Sequence, residues 1–96
     1  MRNEELLIRL TQTQGIAGYE KKVRELIEQE VRPYADELIV DPLGSLIAVK
    51  KGKGGPHSKK IMFAAHMDEI GFMVKKIEED GRLLVCNVGW NWTASA

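Results

Sequence analysis

The apolar residues of this chain change from a helical to an extended spacing a little over a third of the way along the sequence. Leu6, Leu7 and Leu10 fall on one stripe of a helix, as apolar residues do when one face packs against a core. Asn3 is the expected N-cap of this first helix, because its side chain can accept a hydrogen bond from a free backbone N–H. Gly15 is its expected end, since glycine readily adopts the left-handed conformation that terminates helices.

A second helix is expected to begin after Gly18. Its apolar residues recur three or four positions apart and are Val23, Leu26, Ile27 and Val31. Glu20 and Arg24 are expected to pair across one turn on the exposed side of this helix. Pro33 is expected to stop it, because the residue before a proline is pushed out of helical geometry.

Short strand-like segments follow the helices. They cover residues 38–40, 45–49, 60–65, 71–77 and 82–86. The sequence Asp41–Gly44 is typical of a β-turn, and Glu78–Gly81 predicts the turn of a second hairpin. Lys50–Lys60, rich in glycine and lysine, predicts a loop. The order predicts an α+β chain with two N-terminal helices and then a mixed β-sheet, in which residues 60–65 form a buried strand.

Residues that can carry chemistry come directly after that buried strand. The apolar run Ile61–Ala65 is followed by His66, Asp68 and Glu69. Side chains alternate along an extended backbone, so His66 and Asp68 are expected on the same side, about 7 Å apart at the backbone. At that spacing His66 can hold a divalent cation such as zinc or cobalt through one ring nitrogen. Asp68 can then accept a hydrogen bond from the other nitrogen and so select the tautomer.

A simpler interpretation stays open for the same residues. His66 and Asp68 can be two solvated polar side chains at the end of a strand. One histidine does not make a metal centre, because such a centre takes three or four protein ligands. The other histidine, His57, lies in the loop that is rich in glycine and lysine.

Composition excludes several classes of protein. The 14 basic and 14 acidic residues cancel, so no net charge attracts nucleic acid or an anionic membrane surface. No apolar run approaches the roughly 20 residues that cross a bilayer, and the polar first residues do not resemble a secretory signal. Cys86, the single cysteine, has no partner for an internal disulfide. These observations predict a cytoplasmic protein without nucleic-acid or membrane partners.

Four segments of the chain resemble one family of enzymes. The segment Lys60–Val74, which contains the sequence His-Met-Asp-Glu-Ile-Gly, resembles the first metal-binding motif of the M42 family of metallo-aminopeptidases. Glu5–Thr11 and Gly15–Glu20 are similar to the start of that family, and Gly15–Glu20 and His66–Gly71 come in the expected order and at the expected separation. Val40–Leu46 is similar to a turn of the family, with Ser45 where asparagine is usual. The family includes glutamyl and deblocking aminopeptidases, and some members carry an endoglucanase label.

The resemblance implies a fold, a boundary and roles for individual residues. It implies that 1–68 is the N-terminal part of a catalytic α/β domain of the dinuclear-metal exopeptidase type, and that 69–96 begins an inserted β-barrel domain used for dimer contacts. It implies that His66 ligates one of two divalent metal ions, zinc or cobalt with manganese also open, and that Asp68 is the catalytic carboxylate that orients His66. Glu69 matches the motif without an assigned chemical role, and Gly71 is expected to permit a tight change of chain direction.

The resemblance also implies what this chain lacks. Family members are several hundred residues long, and their general base and remaining ligands lie beyond the segments that match. The chain is therefore expected to be the N-terminal portion of an aminopeptidase that acts on peptides and forms homo-oligomers, and to be inactive alone. The alternative is a truncated, non-catalytic interaction module that self-associates through apolar surface near Trp90 and Trp92.

Overall fold

Two helices precede four paired strands in the computed structural model, which describes residues 2–89. The elements are α1 (Asn3–Gln12), α2 (Lys21–Val31), a 3-10 turn (Arg32–Tyr34), β1 (Glu37–Val40), β2 (Leu46–Val49), β3 (Gly71–Ile77) and β4 (Leu83–Val88). The predicted α+β class is confirmed. Within residues 2–89 the strands pair as two separate antiparallel hairpins, β1–β2 and β3–β4, and not as one mixed sheet. Trp90 and Trp92 lie outside the described residues.

Helix α1 begins and ends at different residues from those predicted. Arg2 occupies the N-cap without a side-chain hydrogen bond, so Asn3 is already helical and the predicted cap is wrong. The helix ends at Gln12, where the Thr13 N–H donates to the Arg9 carbonyl and the Thr13 hydroxyl donates to the same oxygen. A threonine hydroxyl that satisfies a terminal carbonyl can close a helix without glycine. Gly15 is therefore not the terminator, and it is buried in the loop that follows.

Helix α2 supplies the small apolar core of the described chain. Val23 and Leu26 are its buried residues, with 4% and 7% of their surface exposed.

The predicted ion pair between the side chains of Glu20 and Arg24 is wrong. The Glu20 carboxylate turns back to accept the Gly18 N–H at 2.7 Å, and the Arg24 guanidinium donates to the Gly44 carbonyl at 3.2 Å. Each side chain meets a backbone partner in a neighbouring turn, so the two are held apart.

Both predicted hairpins are confirmed. In the first, β1 and β2 pair from Glu37 opposite Val49 to Val40 opposite Leu46. The Asp41 carboxylate accepts two backbone N–H groups in the connecting turn, and Gly44 has a positive φ of 93° that glycine adopts without strain. The second hairpin, β3–β4, carries an irregularity in register between Val74 and Lys76.

The predicted buried strand at residues 60–65 is wrong. This segment belongs to no strand, and Phe63 is 95% exposed, with Ile61 and Met62 nearly as open to solvent. A strand exists through hydrogen bonds to a neighbour, and no strand among residues 2–89 lies beside it. The apolar composition of this segment shows that burial would stabilise it, but composition does not identify the surface that would bury it. The predicted loop at Lys50–Lys60 is confirmed.

The chain leaves an unusual amount of surface uncovered. Its accessible surface is 8842 Å², whereas a compact protein of 10.8 kDa exposes about 5,500 Å². Its radius of gyration is 18.3 Å, against about 13 Å for a compact domain of this length. Among residues 2–89 no helix is long and apolar enough to span a bilayer. The predicted division into 1–68 and 69–96 stays a prediction.

Candidate metal-binding site

The candidate site is a hydrogen-bonded pair, His66 and Asp68, at the end of the uncovered segment. Nδ1 of His66 lies 3.0 Å from Oδ1 of Asp68 and 3.0 Å from the Asp68 carbonyl oxygen. A carboxylate and a carbonyl only accept hydrogen bonds, so Nδ1 must carry the ring proton. In the neutral ring Nε2 then keeps its lone pair, and this is the form of imidazole that binds a metal ion.

Solvent reaches this pair readily. The side chain of His66 is 85% exposed and that of Asp68 is 40% exposed. The structure therefore brings together the two side chains singled out from the sequence, with the bond between them that the extended spacing predicts. Their roles as metal ligand and catalytic carboxylate stay predictions.

A loop before α2 holds the residues that follow this pair. The Glu69 N–H donates to the Gly15 carbonyl at 2.9 Å, and the Gly15 N–H donates to Oε1 of Glu69 at 3.1 Å. Ile16 and Glu69 form an isolated parallel bridge at the same place. Sequence reasoning left Glu69 without a role, because nothing in the order of residues shows which backbone a carboxylate will meet 54 positions away.

Gly71 is needed for close packing and not for a change of direction. It is not among the glycines with positive φ. A Cβ at this position would lie 2.2 Å from Cγ2 of Ile16 and 3.1 Å from its Cβ. The predicted reason for this glycine is therefore wrong, and the contact with Ile16 replaces it.

Substituting Gly71 with alanine is expected to destabilise the chain by about 1–3 kcal/mol, as overpacking does. The free energy of unfolding in urea measures this. Ile16→Ala removes the 2.2 Å contact and leaves the 3.1 Å one, so the Gly71→Ala change should be less destabilising in an Ile16→Ala background. Gly55→Ala is the matched control, since a Cβ there meets nothing within 4 Å. Equal destabilisation in both backgrounds would refute the contact as the reason.

Two clefts flank the residues around His66. One, of about 430 Å³, is lined by His66 and Asp68 together with Glu20 and the β1–β2 turn at residues 43–46. The other, of about 350 Å³, is lined by the same two residues and by apolar side chains of α1 and α2, including Val23. His66 and Asp68 thus line two open clefts.

The described residues supply only part of a metal centre. No group of three or more histidine, cysteine, aspartate or glutamate side chains is placed to hold a metal ion within residues 2–89. The chemistry of the pair nevertheless fits one ligand position, because the His66 side chain is exposed and oriented by the bond at Nδ1, and Nε2 of the neutral ring is the nitrogen left for a metal ion.

Comparison of sequences relates the chain to known aminopeptidases. A model of the family described as M42 glutamyl aminopeptidase matches residues 44–96. A putative aminopeptidase of Acetivibrio thermocellus is 52% identical over 85 residues, which are 88% of this chain and 24% of that protein. A lysyl aminopeptidase of Pyrococcus furiosus is 41% identical over 86 residues, again 88% of this chain and 24% of that protein. The chain thus spans about a quarter of the length of these curated relatives.

Solved structures give the same picture. A TET aminopeptidase from the marine sediment archaeon Thaumarchaeota archaeon SCGC AB-539-E09 matches with a TM-score of 0.79 and 37% identity, over 93% of this chain and 24% of that one. PhTET1-12s, described as a dodecamer, matches with a TM-score of 0.74 and 40% identity, over 94% and 26%. An endoglucanase of Thermotoga maritima matches with a TM-score of 0.74 and 43% identity, over 86% and 26%.

Proposed function

This chain belongs to the M42 glutamyl aminopeptidase family, and from that premise we propose that it contributes His66 and Asp68 to a metal-dependent site that releases N-terminal residues from peptides. The observation that carries the proposal is the bond from Nδ1 of the exposed His66 side chain to the Asp68 carboxylate, which leaves Nε2 of the neutral ring available to a metal ion. Two similar proteins are described as aminopeptidases. These names agree with the proposed release of N-terminal residues.

In this proposal His66 ligates the metal, and Asp68 orients His66 through a hydrogen bond. When bound, a pair of divalent cations, zinc or cobalt, supplies Lewis-acid polarisation of the scissile carbonyl and an activated water. Nε2 of His66 is one donor to that pair. The Asp68 carboxylate accepts the Nδ1 proton, which raises the basicity of the ring and fixes its orientation. The 430 Å³ cleft beside both residues gives a peptide room to approach.

The 96-residue chain is inactive by itself in this proposal. Residues 2–89 contain no group of three or more histidine, cysteine, aspartate or glutamate side chains that could hold a metal ion, and a catalytic metal site takes three protein ligands with one open position. The active protein is larger and homo-oligomeric, in keeping with the dodecamer described for PhTET1-12s.

A chimera tests the proposal. The aligned segment of the P. furiosus lysyl aminopeptidase is replaced by the matching residues of this chain, and release of p-nitroaniline from lysine p-nitroanilide is measured with added zinc or cobalt. The chimera is expected to release it, and the 96-residue chain under the same conditions is not. Unmodified lysyl aminopeptidase is the positive control. Activity of the isolated chain, or a folded chimera without activity, would contradict the proposal.

A self-associating interaction module is the second candidate. The observation in its favour is the exposed apolar surface of the β3–β4 hairpin, where Phe72, Val74 and Ile77 are each more than half exposed. Uncovered apolar patches of this kind mark surfaces that bind other protein. A chimera that folds and assembles but releases no lysine would favour this candidate over the enzyme.

A further inference from the structure

We infer that Glu69 is a positioning residue that holds the His66–Asp68 pair in its metal-binding tautomer by anchoring the backbone beside it. The inference rests on the proposed function, because it takes His66 to be a metal ligand. The contacts that support it are observed among the described residues. The hydrogen bonds of Glu69 are to Gly15, and those of the His66 ring are to Asp68. It acts through the backbone that it ties to Gly15.

Glu69 uses both its backbone and its side chain on the same glycine. Its N–H donates to the Gly15 carbonyl and its Oε1 accepts the Gly15 N–H, so both polar groups of the Gly15 backbone are satisfied by one residue. Gly15 is buried, and a Cβ on it would lie 2.8 Å from Cγ1 of Val23 on α2. Glu69 is thus tied to a buried glycine that packs against the buried Val23 of α2.

The direction of the side chain separates Glu69 from the metal-binding pair. On an extended backbone, neighbouring side chains point to opposite faces. Asp68 faces the imidazole of His66, whereas the carboxylate of Glu69 reaches Gly15. A glutamate in a metal-binding sequence is naturally considered as a ligand or a general base, but this one is engaged as the acceptor for a backbone amide.

The backbone that precedes Glu69 has no β-sheet pairing among the described residues. Residues 59–68 belong to no strand in the described part of the chain. The bridge between Ile16 and Glu69 is the first pairing after that segment, and Gly71 packs on Ile16 two residues later. Asp68 precedes this anchor directly, and both of its acceptors for the Nδ1 proton, the carbonyl and the carboxylate, depend on where its backbone lies.

The test measures the histidine ring in the 96-residue chain, without metal or peptide. Chemical shifts of the ring ¹⁵N nuclei distinguish a protonated from an unprotonated nitrogen, and hydrogen exchange reports the Gly15 amide. Glu69→Ala is expected to move the His66 signals toward an average of the two tautomers and to speed exchange at Gly15 about fivefold. Glu69→Gln keeps an oxygen acceptor and is expected to retain the original signals. Glu79→Ala, in the turn of the second hairpin, is the matched control and is expected to change neither readout.

Any one of three results would overturn the inference. Faster exchange at Gly15 in Glu69→Ala with unchanged His66 signals would make Glu69 a structural residue only. Altered His66 signals in Glu69→Gln would assign the effect to the charge of Glu69.

If circular dichroism shows that Glu69→Ala is unfolded, Glu69→Asp replaces it. The shorter aspartate keeps the charge and cannot reach Gly15 in the same backbone, so unchanged His66 signals in that variant would also overturn the inference. Because the readout needs no catalysis, an inactive chimera would count against the proposed function alone.

Discussion

Replacing His66 with alanine in the chimera is expected to abolish the release of lysine, with a loss of at least about 1000-fold in kcat/KM. The physical reason is that the exposed His66 side chain is bonded at Nδ1 to Asp68, so Nε2 of its neutral ring is the proposed metal ligand. Without it, the proposed metal pair would lose a ligand, and the stabilisation of charge on the reacting carbonyl would fall by several kcal/mol. Hydrolysis of lysine p-nitroanilide and the metal content of the purified protein are the two measurements.

His57→Ala provides the matched control for that experiment. His57 is the other histidine and is exposed in the Lys50–Lys60 loop, so its loss is expected to leave both activity and metal content unchanged. A His66→Ala chimera that keeps more than a tenth of the activity would remove His66 from the metal site. The simpler interpretation, that His66 and Asp68 are two solvated polar side chains, would then hold.

Asp68→Asn is expected to lower activity and metal affinity of the chimera by about 10–100-fold, the usual effect of losing a carboxylate behind a histidine ligand. Asparagine keeps the shape of the side chain but not the charge that favours the Nδ1 proton. The Asp68 carbonyl also accepts from Nδ1 at 3.0 Å, and asparagine keeps that acceptor. The loss should therefore be smaller than for His66→Ala.

The same change at Asp80 is the control for Asp68→Asn. Asp80 lies in the turn of the second hairpin, where its carboxylate accepts from Arg82 at 2.7 Å. Asp80→Asn is expected to leave activity unchanged, since the hydrogen bonds of this exposed pair stay within its own turn. Equal losses from both variants would point to a general effect of removing negative charge and against a specific role for Asp68.

Much of the candidate site follows from short-range pattern. The alternation of side chains on an extended backbone is enough to place His66 beside Asp68. The hairpins follow from turn chemistry, as the Asp41 carboxylate shows by accepting two amides of its own turn. Membership of the M42 family, anticipated from motifs within the first 74 residues, is confirmed by comparison with known sequences.

Predictions that depended on distant partners were less successful. Glu20 and Arg24 stand at helical spacing, but the backbone of neighbouring turns competes for both side chains. Residues 60–65 have the composition of a buried strand, yet no strand of the described chain lies beside them. Hydrophobicity reports that a segment gains by being covered, and it does not identify the covering surface.

The residue order by itself determined the helices, the hairpins, the family and the His66–Asp68 pair, because each depends on neighbours within a few positions or on a motif read in order. Only the tertiary structure decided that Glu69 meets Gly15 and that Gly71 must lack a side chain beside Ile16. These contacts join residues 54 or 55 positions apart. Such contacts are set by how the loop before α2 packs against the extended segment, which no local period encodes.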